Sequence, residues 1–580
     1  MSNILKSIKG LFNKIPSWHQ WQKIPSVLNK KERYFILGFV FLAIAGLFGW
    51  LISYNIQHTI LVPAYGGSFS EGIVGSPQYI NPILSQTSDA DRDVSELIFS
   101  GLMQYDSKGN LIPDLAEKYS IGDSGKIYDF FLKKDVKWHD GQPFTADDVI
   151  FTINAIQNPT NRSPLRINWS SVQVEKIDDF TVRFKLNAPY APFLANTTVG
   201  MLPSHIWKDI SPEKFILAPE NLLPVGTGHY ELKKTKKDKD GFITYMELDA
   251  FGEYDSAIRP FIDKIYLYFY PSEEELIKAY NQGKIDNLAL ISNQNKNALK
   301  SVGIKSKEYE LNLPRYFAIF FNQSNSTALS DKNVRLALNY ATDKKEIIDK
   351  VLQGKGKQID SPIPTNVLGD SNGLQTYEFN LDKAKEILEQ NGWKDTDGDG
   401  IREKKNEKLA IGLVTTEMNQ LRQSADIIKE QWAKVGVQVD ITISNIGEIQ
   451  QQYIRPREYQ AILFGEVLGL DPDPYSFWHS SQKKDPGLNL ALYDNAKVDT
   501  LLKDARQLVG NDQLRSAKYK EFQQLVINDA PVVFLYSPYQ LYFTAKDIKG
   551  ISVENIVLPS MRFVDIENWY IKTQRVKKEE

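Results

Sequence analysis

The residue types that most often carry chemistry form no catalytic pattern in this sequence. The chain has six histidines and no cysteine, and no two histidines have the spacing that places two metal ligands on one helix face. It also lacks the Gly-x-Ser-x-Gly turn of serine hydrolases, the phosphate-binding loop ending in Gly-Lys-Ser/Thr and the Gly-x-Gly-x-x-Gly dinucleotide motif. A hydrolase built on two carboxylates leaves no sequence signature and stays open. We nevertheless expect that the protein is not an enzyme.

One acidic segment has the spacing of a calcium loop. Asp395, Asp397 and Asp399 alternate along the chain, and a glycine follows at the sixth position, as at the start of a calcium-binding loop. The twelfth position, which normally supplies a bidentate acid, is Asn406, and Glu407 comes one residue late. The segment is therefore either a weak calcium site or an Asp/Gly-rich turn, and no other cofactor is expected.

An apolar segment near the N-terminus predicts a transmembrane helix. Residues 34–54 contain no charged side chain, and with a rise of about 1.5 Å per residue they can cross a hydrocarbon core of about 30 Å. Tyr34, Trp50 and Tyr54 stand near its two ends, where aromatic side chains favour the membrane interface. The segment is longer than the apolar core of a signal peptide and follows a 33-residue lead, so we expect an uncleaved anchor.

The charges on either side of this segment predict its orientation. Residues 1–33 carry seven basic side chains and one acid, whereas residues 55–68 contain no Lys or Arg, so the N-terminus is expected in the cytoplasm and the rest of the chain outside. Apolar residues recur at helical spacing within the basic lead, at Ile4, Leu5, Ile8, Leu11 and Phe12. This pattern fits either a basic amphipathic helix on the inner leaflet or a disordered tail.

The composition excludes some partners and favours others. The 580 residues include 69 basic and 72 acidic side chains and have a net charge of −3, so the basic surplus that nucleic-acid binding needs is missing. Because residues 1–33 carry a net charge of +6, the rest of the chain carries −9, which suits a cationic or zwitterionic ligand. The absence of cysteine excludes disulfides and a lipid anchor attached through cysteine.

The exterior part has the hydrophobic patterns of a mixed α and β structure. Residues 409–416 predict a strand, an apolar helical face then continues to Gly436, and the alternation in 437–443 predicts a second strand. Such a crossover implies a parallel pair of strands with a right-handed connection. Alternating apolar residues in 128–132 and 182–186 predict further strands in the first half.

Several motifs occur in the order found in a known receptor family. They are Gly66-Gly67-Ser68-Phe69 with Ile80-Asn81-Pro82, Gly101-Leu102 with Leu115-Ala116-Glu117, Trp138-His139-Asp140-Gly141, Gly226-Thr227-Gly228-His229-Tyr230, Asn333-Val334-Arg335 and Asp471-Pro472-Asp473-Pro474. On these motifs the chain resembles the family 5 extracellular solute-binding proteins, which are oligopeptide-, dipeptide- and nickel-binding receptors of ABC importers. The motifs span nearly the whole exterior part.

The motif Trp138-His139-Asp140-Gly141, which matches the family best, also has a structural interpretation of its own. Gly141 can supply a positive φ in a turn, while Thr145 and Asp148 can cap a helix that begins near Val149. We therefore assign His139 a structural role.

The resemblance implies an α/β, two-lobed, periplasmic-binding-protein-like fold of the Venus-flytrap type, with an extra domain inserted in lobe one and one N-terminal transmembrane helix before it. The chain is expected to cross between the lobes near Pro314 and again within residues 531–543. The implied boundaries are a basic cytoplasmic segment at 1–33, the helix at 34–54, a linker at 55–65, lobe one at 66–84, 196–313 and 532–570, the extra domain at 85–195, lobe two at 314–531 and a charged, disordered tail at 571–580.

The resemblance also suggests where a ligand would bind. In peptide receptors of this family a carboxylate just before the Asp-Pro motif pairs with the α-amine of the ligand, but here that position is Leu470 and Asp471 lies one residue later. Asp471 and Asp473 are therefore either ligand-binding residues or residues that shape a Pro-rich loop. Polar or aromatic residues at expected hinge and strand-end positions complete the candidate site: Tyr79, Asn81, Tyr316, Phe317, Asn322, Glu417, Glu466, Trp478 and Asn489.

The function implied by the resemblance is that of a membrane-anchored receptor that binds a peptide between two lobes and delivers it to an ABC permease, whose ATPase subunits are other chains. The alternatives are another cargo, such as a nickel complex, an oligosaccharide or an opine, and a ligand sensor that keeps the fold without transport. We expect a monomer in the cell membrane, with the large C-terminal part extracellular or periplasmic and no nucleic-acid partner.

Overall fold

The structure is a computed structural model that describes residues 18, 22–23, 28–252, 259–289, 292–300, 303, 305–364, 367–369 and 372–578. The amphipathic pattern predicted for residues 4–12 lies outside these residues. The chain divides into two units, one formed by Met1–Ala64 with Lys572–Glu580 and the other by Tyr65–Ile571. Each unit is described by itself below.

The strands and helices alternate along most of the chain. In chain order the strands are β1 Thr59–Ala64, β2 Ser68–Val74, β3 Met103–Tyr105, β4 Leu111–Pro113, β5 Ala116–Gly122, β6 Ile127–Leu132, β7 Val172–Asp178, β8 Thr181–Leu186, β9 Tyr230–Lys237, β10 Ile243–Ala250, β11 Lys264–Tyr270, β12 Asn287–Ala289, β13 Ser306–Leu311, β14 Arg315–Phe321, β15 Gly356–Gln358, β16 Glu403–Lys404, β17 Glu407–Lys408, β18 Ala410–Thr416, β19 Gln438–Ser444, β20 Ala461–Val467, β21 Val532–Pro538, β22 Gln540–Ala545 and β23 Lys572–Lys577. The α-helices are α1 Lys30–His58, α2 Asp89–Ile98, α3 Ala146–Gln157, α4 Arg166–Trp169, α5 Phe193–Asn196, α6 Ser204–Trp207, α7 Glu273–Asn281, α8 Thr327–Ser330, α9 Lys332–Tyr340, α10 Lys344–Leu352, α11 Leu381–Gln390, α12 Asn419–Ala433, α13 Ile446–Glu448, α14 Tyr475–Trp478, α15 Ala496–Gln507 and α16 Asp512–Asp529.

The first unit consists of an apolar helix and a two-stranded ribbon. Helix α1 contains the predicted transmembrane segment, none of its residues is buried, and a capping box of Asn29 and Glu32 begins it. Strand β1 follows the helix directly and pairs antiparallel with β23. The disordered tail expected at 571–580 is therefore wrong for Lys572–Lys577, which form a strand because their pairing partner stands at the other end of the chain.

Lobe one is built on a mixed sheet in the order β13-β22-β12-β2-β11-β10-β9. Strand β2 runs parallel to both β11 and β12, which places the N-terminal strand of the second unit in the middle of the sheet. Alternating residues of β11 face the core, as its buried Ile265, Leu267 and Phe269 show. The C-terminal segment closes the core with Trp569, which is fully buried against Phe69.

A smaller antiparallel sheet, in the order β5-β6-β8-β7, lies within the region predicted to form the extra domain. The alternation that predicts strand β6 is visible in its burial, because Tyr128, Phe130 and Leu132 are buried. Helix α3 follows with the capping box of Thr145 and Asp148. The boundaries 85–195 themselves stay a prediction.

In the turn before helix α3, hydrogen bonds connect two of the sequence motifs. His139 accepts a hydrogen bond from the N–H of Gly226 at 3.3 Å, and its Nε2 lies 3.0 Å from the carbonyl oxygen of Gly228. Gly141 has a φ of +86°, as a turn at this position requires. These contacts agree with a structural role for His139.

Lobe two is built on the sheet β15-β21-β14-β20-β18-β19. Strands β18 and β19 are parallel and connected through α12, as the sequence pattern predicts. The helix buries one face, formed by Leu421, Ala425, Ile428 and Trp432, against the sheet.

Two crossing segments connect the lobes. Strand β13 of lobe one continues after three residues into β14 of lobe two, and β21 returns into β22 after Tyr539 alone. The crossing segments are antiparallel neighbours in both sheets, since β13 pairs with β22 and β14 pairs with β21. A change in the angle between the lobes would therefore be absorbed at Asn312–Pro314 and Tyr539.

Candidate functional site

A cavity of about 480 Å³ lies where lobe one, the small sheet and lobe two meet. Helix α2 lies within the segment 85–195 that the sequence assigns to the extra domain, but it packs against β2 and β9 of the lobe-one sheet and is therefore grouped with lobe one. Lobe one thus contributes helix α2 and the segment after it, and lobe two contributes the loop that follows β20. We call this space the cleft cavity. The wall residues used below are Glu96, Tyr105, Tyr190, His229, Asp471, Asp473 and Phe477.

Helix α2 presents an acid to the cleft cavity. Its apolar face, with Val94 and Leu97, is buried in lobe one, whereas Glu96 is accessible from the cavity. The side chain of Glu96 is exposed on the cavity side, while desolvation by the protein around it, helped by nearby Asp93, raises the pKa of its carboxyl group to about 7. Glu96 therefore exchanges its proton near neutral pH.

The two acids of the Asp-Pro loop face the cavity from lobe two, and both have cationic partners. Asp471 forms an ion pair with Arg515, although burial still raises the pKa of Asp471 above its usual range. Asp473 lies 2.8 Å from the guanidinium of Arg506 and accepts a hydrogen bond from the hydroxyl of Tyr190 at 3.2 Å. Their charges are thus balanced within the protein.

The loop that carries these acids is held by helix α16. The carbonyl oxygen of Pro472 accepts hydrogen bonds from the Arg515 guanidinium at 3.0 Å and from the Tyr519 hydroxyl at 2.8 Å. Because the side chain of Arg515 is only 2% exposed, it fixes the loop from within lobe two. These contacts favour the interpretation of Asp471 as a residue that shapes the loop.

The cavity wall also contains an imidazole, that of His229. Burial, with a contribution from Lys133, lowers the pKa of His229 to about 4, so the ring is neutral at physiological pH. Its Nε2 lies 3.8 Å from the carboxylate of Glu567, whose pKa is raised to about 7 by its own burial.

A buried ionic network lies behind helix α2. Arg562 forms two hydrogen bonds of 2.7 Å with Asp93 and one of 3.1 Å with Glu71. The Tyr542 hydroxyl donates to the second oxygen of Glu71 at 2.9 Å. Because these residues belong to β2, α2, β22 and the C-terminal segment, the network fixes the cavity wall to a crossing strand.

Three of the predicted site residues meet in the core of lobe two instead of in the cavity. The Tyr316 hydroxyl donates to the Glu466 carboxyl group, and the ring of Trp478 packs against Phe534 in the same cluster. Tyr316, Glu466 and Trp478 are at most 2% exposed. Burial raises the pKa of Glu466 to about 8, so this group is mostly protonated at neutral pH.

The predicted asparagines satisfy local backbone and side-chain groups. The Asn81 amide donates to the Asn221 side-chain oxygen at 3.0 Å. Asn322 donates to the carbonyl of Arg457 at 2.8 Å, and Asn489 donates to the carbonyl of Tyr493 at 2.9 Å. The three asparagines are buried, and none of them lines the cleft cavity.

The other predicted residues are also placed away from the cleft cavity. Phe317 packs in the core of lobe two, Glu417 is exposed after the end of β18, and Tyr79 is half-buried in lobe one. Of the eleven candidates, Asp471 and Asp473 line the cavity. A ligand-binding role stays a prediction for all of them.

Comparison with known proteins identifies the family. The sequence model of the "Bacterial extracellular solute-binding proteins, family 5 Middle" matches residues 110–489. The chain belongs to this family. The oligopeptide-binding protein AppA of Bacillus subtilis is 31% identical over 522 residues, which cover 88% of this chain and 92% of AppA.

Solved structures of family 5 relatives agree with the two-lobed fold. The AppA structure from Bacillus subtilis, in complex with a nonapeptide, has a TM-score of 0.66 at 29% identity and covers 88% of this chain and 100% of its own. The NikZ structure from Campylobacter jejuni, in complex with Ni(L-His), has a TM-score of 0.67 at 27% identity and covers 87% of this chain and 99% of its own.

Sequence reasoning missed the acid that helix α2 contributes. Asp89, Arg92 and Glu96 recur at helical spacing and form a polar stripe opposite the buried apolar face. That stripe is a detectable signal for a helix with one face on an aqueous space. The stripe does not distinguish a helix face on a cavity from one on open solvent, so only the structure shows that this face borders the cleft cavity.

The predicted calcium loop brings together a different set of acids from the one that its spacing suggests. Carboxylate oxygens of Asp395, Asp397 and Glu403 lie within 4.8 Å of one another. Asp399, the third predicted ligand, instead pairs with the ammonium group of Lys408. Calcium binding at this loop stays a prediction.

Proposed function

We propose that this chain is the receptor of an ABC importer and that it captures peptides in the cleft cavity. The observation that carries the proposal is a partly open cavity of about 480 Å³ walled by both lobes of a family 5 protein. Its relative AppA, 31% identical, is an oligopeptide-binding protein, and the AppA structure holds a nonapeptide.

The chemistry of the cavity wall fits a peptide. A peptide needs apolar pockets for side chains, hydrogen-bonding groups for its backbone and an anion for its α-amine. Tyr105, Tyr190 and Phe477 supply aromatic surface, and Asn168 and Glu96 supply polar groups. The net negative charge of the exterior part also favours the protonated amine of a peptide.

Capture would proceed by closure of the lobes. A ligand that contacts helix α2 of lobe one and the 467–477 loop of lobe two binds the closed arrangement more tightly than the open one. Binding therefore shifts the population towards the closed state, by an amount set by the ratio of the two affinities. The two crossing segments at Asn312–Pro314 and Tyr539 would act as the hinge.

Helix α1 would keep the receptor at the membrane. Its exposed apolar surface and the basic residues before it support a single membrane crossing with the N-terminus in the cytoplasm. The ligand-binding part would then lie outside the cytoplasm, as a monomer that catalyses no reaction and hands its ligand to a permease driven by separate ATPase subunits.

A nickel complex is the second candidate ligand. The specific observation in its favour is His229, because a neutral imidazole in the cavity wall is a good ligand for Ni²⁺. The relative NikZ holds Ni(L-His) in its structure. Peptides are favoured because His229 is a single imidazole in a wall that also contains several acidic and aromatic side chains.

The experiment that tests the proposal is mass spectrometry of the ligands that co-purify with the full chain in detergent. We expect peptides in the released fraction, and thermal unfolding followed after ligand removal should show a saturable increase in Tm with a pool of short peptides. A saturable increase with Ni(L-His), with no increase for the peptide pool, would contradict the peptide assignment. Loss of peptide uptake after deletion of the gene separates import from sensing.

A further inference from the structure

Glu96 differs from Asp471 and Asp473 of the cavity wall because no ion pair joins it to a cation among the described residues. Glu96 accepts a weak hydrogen bond from the hydroxyl of Ser560 at 3.5 Å. Arg92 stands one helical turn earlier and could have paired with Glu96, but its guanidinium binds Asp89 and the carbonyl of Gln86 instead.

The other guanidinium groups near the cavity are also occupied. Arg562 is bound by Glu71 and Asp93, so its charge is already balanced by two acids. On the opposite wall each acid has its own arginine, in the pairs Asp471 with Arg515 and Asp473 with Arg506. The protein thus balances Asp471 and Asp473 internally, whereas Glu96 faces the cavity without a paired cation.

A carboxylate that faces the cavity without a paired cation attracts a cation brought by the ligand, and closure of the lobes would remove water from such a pair and strengthen it. Asp93 and Asp114 add negative potential at Glu96, and the nearby Arg562 is already bound by Glu71 and Asp93. A primary ammonium group fits this position because it donates up to three hydrogen bonds, of which the carboxylate and Ser560 can accept some.

We propose that Glu96 is the residue that binds the ammonium group of the ligand, and that it takes the place of the Asp-Pro-loop acid expected from the family resemblance. This proposal rests on the proposed peptide receptor function and deepens it. The ligand's α-amine is anchored on helix α2 of lobe one, and closure brings the Asp-Pro loop over it. Asp471 then contributes to the shape of the loop and to the pairing with Arg515.

The test compares alanine peptides of three to five residues with their N-acetylated forms by isothermal titration of the full chain in detergent. For the wild-type protein we expect the free-amine peptides to bind more tightly. In Glu96→Gln the free-amine peptides should lose roughly ten- to hundredfold in affinity, as expected for one charge-assisted hydrogen-bonded pair. The acetylated peptides should change by less than about threefold, so the preference for a free amine should largely disappear.

Two variants provide the controls. Glu430→Gln removes an exposed acid on helix α12 that does not line the cavity, and its affinities should equal those of the wild type. Asp471→Asn leaves Arg515 without its partner, and its loss of affinity should be equal for free and acetylated peptides.

The outcomes separate the two proposals. If peptides bind and Glu96→Gln keeps the full preference for a free amine, Glu96 is not the ammonium-binding residue while the receptor function stands. If that preference is lost in Asp471→Asn instead, the acid of the Asp-Pro loop has the role. If no peptide binds the wild-type chain, the peptide receptor function fails, and the assignment of Glu96 fails with it.

Discussion

At the scale of single residues, the ionisation of Glu96 sets how strongly the cleft cavity attracts a cation. Its pKa is about 7 without ligand, and a bound ammonium group would lower it, because only the ionised carboxylate pairs with the cation. The affinity for a free-amine peptide should therefore fall as the pH drops below 7. The groups that act on Glu96 are Asp93, Asp114, Arg562 and Ser560.

We expect binding of a free-amine peptide to be about tenfold weaker at pH 5.5 than at pH 7, since most Glu96 side chains are protonated at the lower pH. Isothermal titration at several pH values measures this, and the Glu96→Gln variant should give a flat profile. A wild-type affinity that is constant between these pH values would contradict the role of Glu96.

Arg562 is the residue on which the wall behind helix α2 depends most. Its removal would leave Glu71 and Asp93 buried without a cation, and breaking such a buried ionic group costs about 3–5 kcal/mol. Arg562→Met should therefore lower the free energy of unfolding by about that amount, as measured by urea denaturation. Arg575→Met, at an exposed position of β23, is the matched control and should change it by less than about 0.5 kcal/mol. An equal effect of the two substitutions would show that the network contributes little.

At the scale of elements, the Asp395–Gly400 turn is stabilised by its own backbone. The carboxylate of Asp395 accepts the N–H groups of Gly398 at 2.7 Å and Gly400 at 3.0 Å, and Lys408 neutralises Asp399. Because these groups already have partners, we expect neither EDTA nor added Ca²⁺ to change the Tm. A saturable calcium-dependent increase in Tm that disappears in Asp397→Asn would instead establish a calcium site.

The ribbon of β1 and β23 is an element that depends on both ends of the chain. Truncation after Ile571 removes β23 and leaves the backbone groups of β1 without their ladder partners. We expect thermolysin to cleave the truncated protein faster at Leu61, which is exposed, while peptide affinity stays unchanged because the cleft cavity lies within the other unit. Equal cleavage of the two proteins would mean that the pairing adds no protection.

Some of these elements can be predicted from local sequence patterns, and others cannot. The strand–helix–strand unit of β18, α12 and β19 and the cap at Thr145 are predictable because their signals lie within about 30 neighbouring residues. Strand β23 and the partners of Asp471 and Asp473 are not, because each depends on residues that stand far away in the chain. Glu466 and Trp478 look like cleft residues by type and position, and only packing shows that they lie inside lobe two.

At the scale of the whole molecule, ligand capture depends on movement of the lobes around two short crossing segments. The cavity is lined by both lobes, so a ligand inside it that contacts both favours the arrangement in which they are close together. The network around Arg562 fixes helix α2 to lobe one and to β22, which makes the wall that carries Glu96 part of a rigid body.

The measurement that tests this claim most directly is the distance between the lobes with and without peptide. Because the chain has no cysteine, fluorophores can be attached specifically to Lys278→Cys on helix α7 of lobe one and Lys429→Cys on helix α12 of lobe two, both of which are exposed. Single-molecule energy transfer in the full chain should show a population with a shorter distance that grows with peptide concentration and saturates with the same Kd as binding. Saturable peptide binding with no change in this distance would contradict capture by closure of the cleft.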